Sequence, residues 1–168
     1  MMFKSIVKAA MTEYMEDLQD ALDGLSPEER RFQPTPESHH IDFTVWHMAR
    51  VEDGLINRRI RHGEQIWERD GWAERLGLPE RDSGFGFSAE QVAILPEFSL
   101  DELMEYYQSV RREALEFIES LSADDLDKEL YAGWEYTVGG TLSHLVVEEA
   151  QHVGQVAYLR GMQRGLDG

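Results

Sequence analysis

The sequence predicts an all-α protein, a bundle of four long helices in one domain spanning residues 1–168. Apolar residues recur at three- and four-residue spacing along four separate stretches, the mark of helices with one buried face. No stretch reads as a strand, and four helices without a sheet leave helix-on-helix packing as the layer architecture. The chain is 42% hydrophobic over 168 residues, enough to fill a single core.

The first helix runs from about 3 to 23, where Phe3, Ile6, Val7, Ala10, Tyr14, Leu18, Ala21 and Leu22 make its apolar face and Gly24 closes it. A short turn follows, with Ser26 as N-cap, Pro27 at the first helical position and Glu29 completing a capping box. The prolines of QPTP stop it. The second long helix spans about 42 to 62, capped by Asp42, with Phe43, Trp46, Ala49, Ile56 and Ile60 on its apolar face. His62, before Gly63, reads as a C-terminal residue favoured by the helix dipole. Residues 63–97 are a long connection rich in glycine and tryptophan, of the kind a functional crossover uses. Ser99 and Glu102 stand in capping-box spacing at the start of the third helix, SLDELMEYYQSVRREALEFIESL. A short turn at SADDLDKEL and a loop, YAGWEYTVGG, lead to the fourth helix, from about 138 to 162.

Composition limits what the chain can do. Asp and Glu number 33 against 16 Lys and Arg, a formal net charge of −17. Such a surface repels phosphate backbones, so nucleic acid and anionic membranes are poor partners. No apolar run reaches the roughly 18 residues of a membrane span, and the N-terminus acquires acids before any secretion-signal pattern develops. The expectation is a cytoplasmic protein acting on a small molecule. With no cysteine, disulfides, thiolate ligands and a cysteine nucleophile are excluded, and any thiol must come from outside.

The stretch that carries chemistry is SHLVVEEAQHVGQ, in the fourth helix. His144, Glu148 and His152 follow each other at four-residue spacing on one helix face. Neutral imidazoles and carboxylates are ligands for divalent transition ions, and two ligands four apart on a helix converge on one ion. His144 and His152 are two turns apart, about 12 Å along the axis, too far to share one ion with Glu148. A third ligand then comes from a facing helix, and His47 in VWHMARVED is the candidate. Three protein ligands leave open positions, the pattern of a catalytic site. The same row also reads as a solvated hydrogen-bonded ladder, and His47 as a core histidine bonded to a carbonyl. Gly154, in mid-helix, argues for close approach of a backbone or ligand. His39 and His40 read as surface residues. A di-iron carboxylate centre does not fit, because Glu149-x-x-His152 is matched only by Glu37-x-x-His40 in a loop.

HMARVED, DGWAERLGLP and VEEAQHVGQVAYLRG resemble the DinB-like superfamily, which includes thiol-dependent S-transferases. The resemblance covers nearly the whole chain, and its specific parts are the second-helix histidine and the H-x-G-Q ending of the fourth helix. It implies a four-helix bundle in up-down-down-up order, the 63–97 connection serving as the crossover. It also implies a homodimer and a divalent ion, zinc or nickel, on His47, Glu148 and His152. Many members carry histidine where this chain has Glu148. A glutamate there resembles the mycothiol-dependent maleylpyruvate isomerase branch, whose zinc is held by two histidines and one glutamate. A metal-dependent transferase using a low-molecular-weight thiol is the function the resemblance implies, with Trp46, Tyr107 and Trp134 as candidate pocket walls. Asp53 is either a support for the site or a surface carboxylate. The alternatives are a metal-activated hydrolase with Glu149 or Asp53 as base, and a non-enzymatic metal-binding or dimerisation bundle.

Overall fold

Four long helices form where the apolar periodicity places them: α1 (Met2–Leu22), α2 (Ile41–Asp53), α3 (Leu100–Ser120) and α4 (Val138–Arg164). They are seen in a computed structural model that describes residues 2–131, 133 and 135–165. Trp134, one expected pocket wall, lies outside the described residues. Among those residues there is no strand, only an isolated bridge between Glu129 and Thr137. No helix is long and apolar enough to cross a membrane.

The helix ends follow local chemistry. The Ser26 hydroxyl accepts from Glu29 N while the Glu29 carboxylate accepts from Ser26 N, the complete capping box. Gly24, at φ +67°, takes the left-handed conformation that ends α1. At Ser99 only one arm of the expected box forms, the hydroxyl accepting from Glu102 N. The start of α2 departs from expectation. His40, not Asp42, is its N-cap, its Nδ1 accepting from Phe43 N at 3.0 Å, and the residue is 1% exposed rather than on the surface. Asp42 is instead fully buried in an ion pair with Arg30 at 2.8 Å. After Asp53 the chain continues as a π-helical segment, Gly54–Ile60, closed by Arg61 N donating to Ile56 O. His62 lies beyond that end at φ +55°.

Contacts at the helix ends set their directions. Arg160 of α4 donates to the carbonyls of Ala21 and Asp23 at the end of α1, so the two run in the same sense. Lys4 of α1 donates to Glu119 O near the end of α3, which makes that pair antiparallel. Arg30 bridges Asp42 to Phe98 O, and Arg111 reaches Glu52, so α2 and α3 run together. The core between them includes Met11, Leu18, Trp46, Trp67, Leu103 and Tyr106, each fully buried. Trp67 comes from the connection, so that segment closes the core as well as crossing the bundle.

One buried ion pair ties three helices. Arg111 of α3 bonds both oxygens of Glu52 on α2, the shortest at 2.7 Å, and also the Tyr14 hydroxyl and Met11 carbonyl of α1. Removing one partner leaves the other charged and dry. Arg111→Met is expected to cost about 3–5 kcal/mol in denaturant unfolding, and the Arg111→Met, Glu52→Leu double variant less than the single one.

His40 makes stability pH-dependent. Burial pulls its pKa from 6.5 down to about 4. A depressed histidine keeps its full contribution above the unfolded value and loses it as pH falls from 6.5 towards about 4. The physical event is that protonated Nδ1 can no longer accept from Phe43 N. Unfolding free energy is therefore expected to fall by up to about 3 kcal/mol across that window, and His40→Asn, a cap that does not titrate, to flatten the profile.

Candidate metal centre

His47 projects from α2 towards α4, where Glu148 and His152 stand one turn apart. Each offers one ligand atom, and the three atoms lie within 4.8 Å of one another. The two imidazoles meet edge to face with ring centroids 5.2 Å apart. Their other nitrogens are engaged. His47 Nδ1 lies 2.5 Å from Ser83 O, and His152 Nδ1 lies 2.9 Å from Gln155 Oε1. The Ser83 carbonyl can only accept, so Nδ1 of His47 donates to it and leaves Nε2 as that ring's ligand atom. Burial lowers the His47 pKa, against an opposing contribution from the Ser83 carbonyl, and favours the neutral ring.

Glu148 divides its carboxylate. One oxygen lies 3.1 Å from His144 Nε2 and the other 4.0 Å from His152 Nε2. His144 stays outside the triad, its ring stacked on Tyr136 at 5.2 Å. The row of three is therefore a ladder at its first step and part of a cluster at its second.

The long connection supplies what the triad rests on. Ser83 gives the carbonyl that holds His47. Gly84 follows at φ +82°, and a Cβ there would stand 2.9 Å from His47 Nδ1, 3.0 Å from Phe43 and 3.1 Å from Trp46. Phe43 stacks parallel to the His47 ring at 5.8 Å. Arg50, one turn beyond His47, donates to Asp82 O at 3.0 Å and to Gln65 Oε1 at 3.1 Å. Asp53 is fully buried, not a surface carboxylate. It accepts from Ile66 N, Trp67 N, Asn57 Nδ2 and the Tyr106 hydroxyl. It starts the short helix Ile66–Arg69 and so anchors the connection to α2.

Other expectations change. Trp46 and Tyr107 are fully buried core residues rather than pocket walls. Trp46 packs among Phe43, Trp67 and Phe87, while the Tyr107 hydroxyl donates to Glu149. Burial drives the Glu149 pKa well up, with Glu52 adding to it, and the carboxyl is sealed from solvent. Neither Glu149 nor Asp53 borders the cavity of about 520 Å³ that opens beside Glu148 and His144. Gly154 meets nothing within 4 Å and faces open space, so no close approach explains it. The glycine that does allow close approach is Gly84. Its signal was the GFG of the connection, and that of Gln155 was its position three residues after His152.

A model of the DinB superfamily matches residues 10–156. The chain belongs to the DinB superfamily. Among solved structures, the DinB fold seen here is similar to the crystal structure of a conserved protein of locus from Enterococcus faecalis. The TM-score is 0.85 at 18% identity, over 94% of this chain and 95% of that one. At that identity the likeness carries the DinB fold alone. No curated protein matches the chain.

Gly84→Ala tests how tightly the connection closes on the triad. The left-handed φ and the clash with His47 together are expected to cost about 1–3 kcal/mol in denaturant unfolding. The His47 ring should also shift, read as a change in its imidazole NMR resonances.

Proposed function

We propose that His47, Glu148 and His152 hold a divalent metal ion, zinc or nickel, and that the protein transfers a low-molecular-weight thiol to an electrophilic small molecule. One observation carries this reading: two imidazoles, each with Nδ1 engaged by an oxygen, converge with one carboxylate. Nitrogen and oxygen donors of this kind suit zinc and nickel, and three protein ligands leave positions for substrate. Membership of the DinB superfamily supports a metal on these positions, and the lack of cysteine agrees with a thiol from outside.

When bound, the ion supplies a Lewis acid that lowers the pKa of an incoming thiol and favours its nucleophilic form. The chain's own residues prepare for this. Ser83 O fixes the tautomer of His47, Gln155 Oε1 engages Nδ1 of His152, and His144 holds the far oxygen of Glu148. The sealed positions of Glu149 and Asp53 favour thiol transfer over hydrolysis, because the two acids considered as general bases do not border the cavity.

Metal analysis of protein purified without a histidine tag is the test. About one zinc or nickel per chain is expected, lost in His47→Ala and in His152→Ala, with affinity about 10- to 100-fold weaker in Gln155→Leu. Monochlorobimane conjugation with glutathione, cysteine and coenzyme A then reads the reaction. Turnover that needs both metal and thiol supports transfer. Turnover of ester or amide substrates without thiol would replace it by hydrolysis, and a chain that takes up no metal would end the reading.

A further inference from the structure

The cavity beside the triad has a charge opposite to that of the chain. Acids outnumber bases 33 to 16 overall, yet Arg50, Arg58, Arg59 and Arg81 border this one cavity against the single carboxylate of Glu148. The four do not stand alike. Arg50 is buried, 3.6 Å from Asp53, and bound to loop carbonyls. Arg59 donates to the Tyr131 hydroxyl. Arg58 pairs with Glu68 at 2.7 Å while its side chain stays 57% exposed. Arg81 is exposed and has no ion-pair partner among the described residues.

The remaining wall is apolar. Val51 and Leu55 come from α2 and its π-helical continuation, and Phe85 and Tyr131 from loops. Phe85 is 87% exposed between two glycines at φ +82° and +73°, a large ring held in water at the edge of a cavity. An unpartnered guanidinium beside apolar surface, in about 520 Å³, matches a small molecule with one anionic end. The Arg81 backbone is tethered on both sides, because Arg50 donates to the carbonyls of Glu80 and Asp82.

We propose that this cavity binds an organic anion, a carboxylate or phosphate ester with an aromatic or branched apolar body. Arg81 and Arg58 meet its charge, and Phe85 and Leu55 cover its body. The anion is the electrophilic substrate of the neighbouring triad. That last statement rests on the metal-centre reading; the binding itself does not.

Benzoate, phenyl phosphate and the neutral benzamide are the probes, titrated calorimetrically into the full chain. Each titration is run on zinc-loaded protein and again after chelation, so that an anion coordinated directly by zinc is recognised. At least one anion is expected to bind about ten-fold more tightly than benzamide in both forms, and the tighter of the two names the group. Arg81→Gln is expected to weaken that anion about ten-fold while leaving benzamide binding and zinc stoichiometry unchanged. Equal binding of anion and amide, no anion binding at millimolar concentration, or an indifferent Arg81→Gln would overturn the proposal. Anion binding that appears only with zinc would overturn it too. If the anion binds to a chain that takes no zinc, the metal reading fails and the cavity stands. If zinc binds and neither anion does, the cavity fails and the metal reading stands.

Discussion

His47, Arg50 and Asp53 follow one another at three-residue intervals on α2, and each spends its polar end on the long connection. Asp53 accepts from two backbone amides near its start, and Arg50 donates to two carbonyls further along the same segment, at Glu80 and Asp82. His47 then takes the carbonyl of Ser83. A guanidinium and a carboxylate this deeply buried are tolerable only while their hydrogen bonds are made, because leaving either unpaired costs several kcal/mol. The connection therefore cannot lift from α2 without stranding charge. That constraint fixes the position of the Ser83 carbonyl, and with it the tautomer of His47.

The two imidazoles of the triad are held by different means. His47 is fixed by a backbone carbonyl, by the stacked ring of Phe43 and by the close backbone of Gly84. His152 is fixed by Gln155, an exposed side chain one turn along its own helix. Side-chain amides rotate on far shorter timescales than a loop pinned by buried charges moves. The centre thus has a rigid half on α2 and an adjustable half on α4.

The four helices were legible because each buries one face, and burying one face of a helix imposes a three-to-four residue rhythm on the chain. Ser26, Pro27 and Glu29 were legible because a capping box is entirely local. His40 was not. Both His40 and Asp42 can cap, and the choice was made by Arg30, which lies elsewhere in the chain and takes Asp42 into the core. Of the cluster, spacing offered Glu148 with either His144 or His152, the resemblance chose His152 with His47, and the structure brings those three together. The support could not, because the atoms that matter at Ser83, Glu80 and Asp82 are carbonyls that every residue possesses. Gly154 misled for a related reason: a glycine marks permission for close approach, and only packing shows whether anything approaches. Glu149 sits beside Glu148 in sequence and 100° round the helix, which sends one carboxylate to the cluster and the other into the core.

The row His144, Glu148 and His152 is divided by the two oxygens of one carboxylate. A single helix face cannot bring both histidines to one point, but a carboxylate between them can serve each with a separate oxygen. His144 therefore acts through Glu148 rather than beside it. A positive or hydrogen-bonding partner on one oxygen restricts the rotation of the whole group, which aims the other oxygen at the cluster. His144 and Glu148 also border the arginine-lined cavity, whereas His47 and His152 do not. The carboxylate is thus common to the cluster and to the cavity. An anion beside Arg81, as proposed, would change the field at Glu148, and a cation held by the cluster would change the field felt by that anion. The two proposed sites would be coupled through Glu148, the residue that belongs to both.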